Sequence, residues 1–273
     1  MEALVSKDKI ERWIIPHLSK GKRGNEVGPP QWQIVLAILY RLKTGCQWRQ
    51  LPLKAFFDQH KLSWQGVYYH FARWTKDGSF ERMWTGLLKA NHQYLDLSCV
   101  QLDGSHTPAK NGGMAVGYQG RKAAKTTNML FLADNQGILL ACSEPQAGQH
   151  NDVYELQPLL AQLFDTLERA EIPAEGLFLN ADAGFDCKTL RTACEQRDIQ
   201  ANIAGNKRNK QQKRDDGAYF DEQLYKRRTV IERANAWIDS FKALLVRFET
   251  STPTWVALHL LAFSIIFLRK INN

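Results

Sequence analysis

The apolar residues of this chain change their period near residue 97, and that change limits the architectures open to it. Before that point they recur every three to four positions, as on one face of a helix; after it they come in short continuous runs bounded by turn residues, as in covered strands. In residues 31–43 Ile34, Val35, Ile38, Leu39 and Leu42 keep the helical period, which stops at Gly45. Ser63 is placed to cap a helix over 64–75, with Val67, Tyr68, Phe71 and Trp74 on one face. Helices are also predicted over 8–15 and 80–95. Short helices joined by short turns are the format of a helix-turn-helix module.

After residue 97 the pattern predicts strands at 99–102, leading into Asp103-Gly104-Ser105, and at 128–133 and 138–143 around the turn Asp134-Asn135-Gln136-Gly137. A helix over 152–170, opened by Asn151 or Asp152, buries Leu156, Leu159, Leu160, Leu163 and Leu167. A strand over 176–180 runs into Ala181-Asp182-Ala183-Gly184, followed by a helix over 188–197 and a strand over 200–204. This order predicts an α/β fold with a mixed sheet flanked by helices, in a domain covering 97–273 behind a helical domain covering 1–96. The apolar run 255–268 is shorter than the roughly 20 residues a membrane helix needs, so it reads as a buried core helix.

Charge divides along the same lines. Of 273 residues, 36 are Lys or Arg and 28 Asp or Glu, but residues 101–200 carry 8 basic against 13 acidic, whereas 1–100 carry 15 against 8 and 201–273 carry 13 against 7. An acidic middle between basic flanks suits a protein that holds cations in the middle and nucleic acid phosphates at the flanks. The five cysteines form no CxxC pair, which argues against a zinc site or a disulfide framework. No apolar leader opens the chain, and the expected location is the cytoplasm.

Asp103 and Asp182 each follow an apolar strand. Asp-Gly alone is an ordinary turn opener, but side chains at the carboxyl ends of strands point into the crevice where α/β folds place their chemistry. A helix over 222–248 carries a core stripe of Ile231, Ala234, Ile238, Phe241, Leu245 and Phe248, and a separate polar face of Tyr225, Arg228, Glu232, Asn235 and Asp239. Asp103, Asp182 and Glu232 together supply what a two-magnesium phosphoryl-transfer site needs, because each hard cation takes a few carboxylate oxygens and keeps positions for water and phosphate.

The strings Asp103-Gly104-Ser105, Ala181-Asp182-Ala183-Gly184-Phe185-Asp186 and Tyr225-x2-Arg228-x3-Glu232 resemble the signatures of bacterial insertion-sequence transposases of the DDE type, in the insertion-sequence-five family. Residues 45–52 and Trp64-x3-Tyr68-x2-Phe71-x2-Trp74 are similar to the helical N-terminal domain of these proteins. The resemblance implies a ribonuclease-H-like catalytic domain, with Asp103, Asp182 and Glu232 as catalytic residues and ligands of two Mg²⁺ ions, for which Mn²⁺ substitutes. It implies cleavage at the transposon end and transfer of the 3′-hydroxyl into target DNA, by a homodimer or higher assembly on double-stranded DNA in the bacterial nucleoid, away from any membrane. A nuclease of the same fold, or a silent DNA-binding regulator, are the rival functions.

Candidate DNA contacts are Gln65, Tyr69, His70 and Arg73 on the outer face of the helix over 64–75, Tyr225 and Arg228, and the basic cluster Lys207, Arg208, Lys210, Lys213 and Arg214. The family usually has Lys or Arg seven residues after the glutamate, where this chain has Asp239. Lys242 or Arg228 is expected to neutralise it, with Lys242 taking over the phosphate contact. Trp48, Trp64, Trp74 and Trp84 are expected in the helical core, and His106, His150 and His259 in ordinary structural roles.

Overall fold

A computed structural model describes residues 4–20, 28–57, 62–205 and 220–271. The first part is helical: α1 (Lys7–Trp13), α2 (Gln31–Thr44), α3 (Trp64–Lys76) and α4 (Ser79–Ala90). Ser63 caps α3 as its position suggests, its hydroxyl accepting from Gly66 N at 3.2 Å, and Gly45 ends α2 in the left-handed region at φ 68°. Trp74 and Trp84 are fully buried, whereas Trp48 and Trp64 are half-buried, each beneath an arginine. Tyr68, expected inside, is 40% exposed. It lies at the edge of the α3 stripe and rests edge-on against Trp48.

The second part is built on one mixed sheet. Strands β1 (Val100–Pro108), β2 (Gly117–Gln119), β3 (Ala124–Ala133), β4 (Leu139–Cys142) and β5 (Gln146–Ala147) precede α5 (Leu156–Arg169). Then come β6 (Phe178–Ala181), α6 (Lys188–Glu195), β7 (Gln200–Ile203), α7 (Glu222–Lys226), α8 (Thr229–Asp239), α9 (Lys242–Leu245) and α10 (Thr252–Lys270). The strands lie in the order β2-β3-β1-β6-β7, with β4 and β5 also paired to β3. β1 is antiparallel to β3 and parallel to β6, and β6 is parallel to β7. The β3–β4 turn is fixed by the buried Asp134, whose Oδ1 accepts from Gln136 N at 2.9 Å and Ile138 N at 2.7 Å.

Three expectations change. β1 runs on through Asp103-Gly104-Ser105 to Pro108, because residues 101–108 all pair with β3; Asp103 is inside a strand and not in a turn. The helix over 222–248 is three helices, interrupted between α7 and α8 and again at Phe241, which is extended at ψ 104°. After that second break Leu245 and Phe248 leave the core stripe and are 39% and 51% exposed. Asp152 does not open α5, which begins at Leu156; the intervening residues form a turn in which Tyr154 N donates to Asn151 O at 3.1 Å.

The two parts share one core. α10 is longer than the apolar run suggested, 19 residues, long and apolar enough by itself to cross a membrane, but most of it is buried within the fold. It packs on α3 and α4 as well as on the sheet. Trp84 of α4 lies edge-on to Phe263 and Phe267 of α10, and its Nε1 donates to Leu140 O of β4 at 2.8 Å. Arg41 of α2 forms a buried ion pair with Glu249.

Candidate active site

Leu102 of β1 pairs in parallel register with Ala181 of β6, the last paired positions of the two strands. Asp103 and Asp182 are therefore the next residue on each of two neighbouring parallel strands, roughly 5 Å apart along the sheet. Directly opposed residues share a face. Phe131, the partner of Asp103 on β3, packs at a tilt against His259 and edge-on against Phe263 of α10. Asp103 accordingly faces the α8–α10 side. After Asp182 the chain turns at once: its Oδ1 accepts from Gly184 N at 2.8 Å, and a Cβ on Gly184 would come within 2.9 Å of that oxygen.

α8 packs against β1 at the first of this pair. Asn235 Nδ2 donates to Asp103 Oδ2 at 3.4 Å, and Glu232, one turn earlier, is on the same polar face. The Glu232 side chain is 62% exposed and turns toward Arg228, whose Nη2 is 3.8 Å from its Oε1. Arg228 also acts on Asp103, so this guanidinium serves both carboxylates. Burial pushes the Asp103 carboxyl up to about 6; the Gly104 backbone N–H and Arg228 oppose the rise, and the negative charges of Asp152 and Asp182 add to it.

Among the described residues, no three His, Cys, Asp or Glu side chains stand ready around one point that could hold a metal ion. The structure brings Asp103 and Asp182 together and sets the helix of Glu232 against β1 at Asp103, with its carboxylate still paired to Arg228. The donor set nonetheless fits a hard cation. It is all oxygen, and crowding of like charges around a buried carboxylate is what a divalent ion relieves.

Sequence reasoning missed Asp152. Its Oδ1 accepts from Asn128 Nδ2 at 2.7 Å and lies 3.8 Å from His106 Nε2. A Cβ on Gly104 would fall 2.2 Å from that oxygen, so the glycine makes room for it. Gly104, His106 and Asn128 lie on the α5 face, opposite to Asp103. Asp152 therefore acts on Asp103 through its charge. The Gly in Asp103-Gly104 was the available signal, easily taken for a turn residue.

The remaining site residues fall unevenly. Gln65 and Tyr69 are exposed on α3, Tyr69 at 61%. Arg73 is half-buried, its Nη2 donating to Ser19 O at 2.8 Å, so part of its guanidinium serves the fold. Tyr225 is half-buried beside Phe220, and Lys242 is exposed on α9. Lys207, Arg208, Lys210, Lys213 and Arg214 lie outside the described residues. Around Asp239 the cations are Lys122, from the turn between β2 and β3, and Lys242; Arg228 is committed to Asp103 and Glu232 instead.

Residues 98–267, the stretch that builds this site, match the DDE superfamily endonuclease family. The chain belongs to that family. Residues 8–84 match a family of IS4/5-type transposases, and the two matches together make the protein a DDE transposase of that type. Among solved structures the transposase is similar to the Mos1 transposase paired-end complex with left transposon end, at 12% identity, covering 93% of this chain and 84% of that one with a TM-score of 0.30. The Mos1 mariner paired end complex with Mn is similar at 14% identity, covering 93% and 84% with a TM-score of 0.31. No curated protein matches the chain.

Proposed function

We propose that Asp103, Asp182 and Glu232 are the catalytic carboxylates of this transposase and hold two Mg²⁺ ions, with Mn²⁺ as a substitute. The observation that carries the reading is the register of β1 and β6, which sets Asp103 beside Asp182, with Asn235 tying the Glu232 helix to Asp103. When bound, the ions would activate the attacking water or 3′-hydroxyl and stabilise the leaving oxygen. Glu232 would leave Arg228 to complete the ligand set, freeing the guanidinium for a DNA phosphate. Lys242, Tyr225 and the basic residues between 207 and 214 would contact DNA beside the site, with Gln65 and Tyr69 of α3 at the transposon end. The working form would be a homodimer or higher assembly on DNA in the bacterial cytoplasm.

The test is incubation with a DNA end and Mg²⁺. Nicked and joined products are expected from the native protein. Asp103→Asn, Asp182→Asn and Glu232→Gln should each lose both products while still binding DNA. Nicked product alone from the native protein would point to a nuclease, and full activity in any of the three variants would remove that residue from the site.

A further inference from the structure

Asn180 of β6 and Asn202 of β7 are paired across the sheet, and both are fully buried. Asn202 Nδ2 donates to Asn180 Oδ1 at 2.8 Å and to Asp221 O at 2.9 Å; Asn202 Oδ1 accepts from Asp221 N at 2.8 Å. Asn180 Nδ2 donates to Leu224 O at 2.8 Å. Every amide oxygen and nitrogen of the pair has a protein partner, and among the described residues each side-chain bond leaving the pair ends on the main chain at the start of α7. Their strand neighbours Leu179, Ala181, Ala201 and Ile203 are buried and apolar on the opposite face of the sheet. A fully satisfied polar network inside a sheet fixes one arrangement of what it binds.

What it binds leads to the active site. Asn180 is in register with Gln101, two residues before Asp103 and therefore on the same face of the sheet. Asp221 caps α7, its Oδ1 accepting from Leu224 N at 2.9 Å. From Leu224 the chain passes through the break between α7 and α8 at Arg227 and Arg228 to Glu232 in the first turn of α8. Asn235 of the same helix bonds Asp103. The Glu232 segment is thus held to the sheet at its entry by Asn180 and Asn202 and in its middle by Asn235.

We infer that Asn180 and Asn202 are positioning residues for Glu232, clamping the entry of its helix to β6 and β7 so that the carboxylate can reach the aspartate pair. The inference rests on the reading of Glu232 as catalytic. The test compares Asn180→Ala, Asn202→Ala and Glu232→Gln in the full chain, measuring cleavage of a DNA end at saturating DNA with Mg²⁺, binding of that DNA, and amide hydrogen exchange. Each asparagine variant should cut about tenfold to a hundredfold more slowly, the range for groups that orient metal ligands, with DNA affinity within about twofold and faster exchange confined to residues 221–239. If Asn202→Ala does not fold, Asn202→Ser, which keeps a hydroxyl at the position, serves in its place. Wild-type cleavage by both asparagine variants, or faster exchange throughout the protein with no local excess, overturns the inference. Wild-type cleavage by Glu232→Gln overturns instead the reading on which it rests.

Discussion

Asn235 Nδ2 lies 3.4 Å from Asp103 Oδ2, a contact that spans 132 positions of the chain and joins the Glu232 helix to the first aspartate. The amide nitrogen can only donate, so the pairing favours an ionised Asp103. Asn235→Ala should retain the fold, because the residue is on the polar face of α8, yet slow cleavage about tenfold or more. Asn235→Asp should be worse, since it sets a second carboxylate against Asp103 in a partly buried site. Single-turnover cleavage, with circular dichroism to confirm folding, checks both. Equal rates for the two variants would argue against an electrostatic role for this contact.

Asp103 should also be a stability burden when no metal is bound. Its folded pKa of about 6 is above the ordinary carboxylate value, so the folded state holds the proton more tightly than the unfolded chain. Stability therefore falls as pH rises from about 4 to about 6, and the deficit above that range is at most about 3 kcal/mol. Asp103→Asn should melt higher than the native protein at pH 7 in chelator and lose that advantage at pH 4. A lower melting temperature at pH 7 would contradict the buried charge.

His259 works in the opposite sense. It is buried among Trp255, Phe131 and Phe263, and burial lowers its pKa to about 4, against the pull of its Nδ1 hydrogen bond to Trp255 O at 2.9 Å. The unfolded chain takes up this proton first, so stability present above about pH 6.5 is lost as pH falls toward 4, by up to about 3 kcal/mol. His259→Phe should flatten that part of the profile in urea titrations. An unchanged slope would mean that the acid sensitivity arises elsewhere.

The two aspartates were legible because the largely buried stretches Val100-Gln101-Leu102 of β1 and Phe178-Leu179-Asn180-Ala181 of β6 read as mostly apolar runs, each followed by Asp. The helical period of α2 and α3 was legible for the same reason. Where β1 ends was not: Asp-Gly-Ser reads as a turn, and only pairing with β3 carries the strand through it. The breaks in the 222–248 helix were also hidden, since Arg227, Arg228 and Ser240 are compatible with a continuous helix and tertiary contacts decide otherwise. Asp152 was invisible as a neighbour of Asp103, because that proximity is made by strand pairing across Asn128 and by the absence of a side chain at Gly104.

The shared core predicts how the halves depend on each other. Trp84→Ala removes a buried ring packed against Phe263 and Phe267, and the indole bond to Leu140 O with it, and should cost about 3–5 kcal/mol. A fragment of residues 1–96 lacks α10 and leaves the inner faces of α3 and α4 in water. It should show no cooperative urea transition, whereas a cooperative transition like that of the whole protein would show that the helical part is self-sufficient.

Asp239 lies in α8 two turns beyond Glu232, nearly on the same face and about 10 Å away along the axis. Lys242 belongs to α9, beyond the break at Phe241, so the polar face of α8 does not continue to it. Partial burial raises the Asp239 carboxyl, and Lys122 and then Lys242 oppose the rise. Lys122 is itself fixed, its Nζ donating to His106 O at 2.6 Å. An acidic residue between two lysines at the mouth of the proposed DNA site lowers the local positive potential, so Asp239→Lys should bind end DNA as tightly as the native protein or more so. Its salt dependence should steepen by about 0.9 in slope if the new lysine meets a phosphate. Lys242→Ala should weaken binding with a shallower slope, and Lys122→Ala should do the same if its ammonium faces DNA as well as Asp239. Binding isotherms across a range of salt concentrations separate these effects from loss of fold. Loss of cleavage in Asp239→Asn, with DNA binding and melting temperature preserved, would show instead that the carboxylate itself takes part in the reaction.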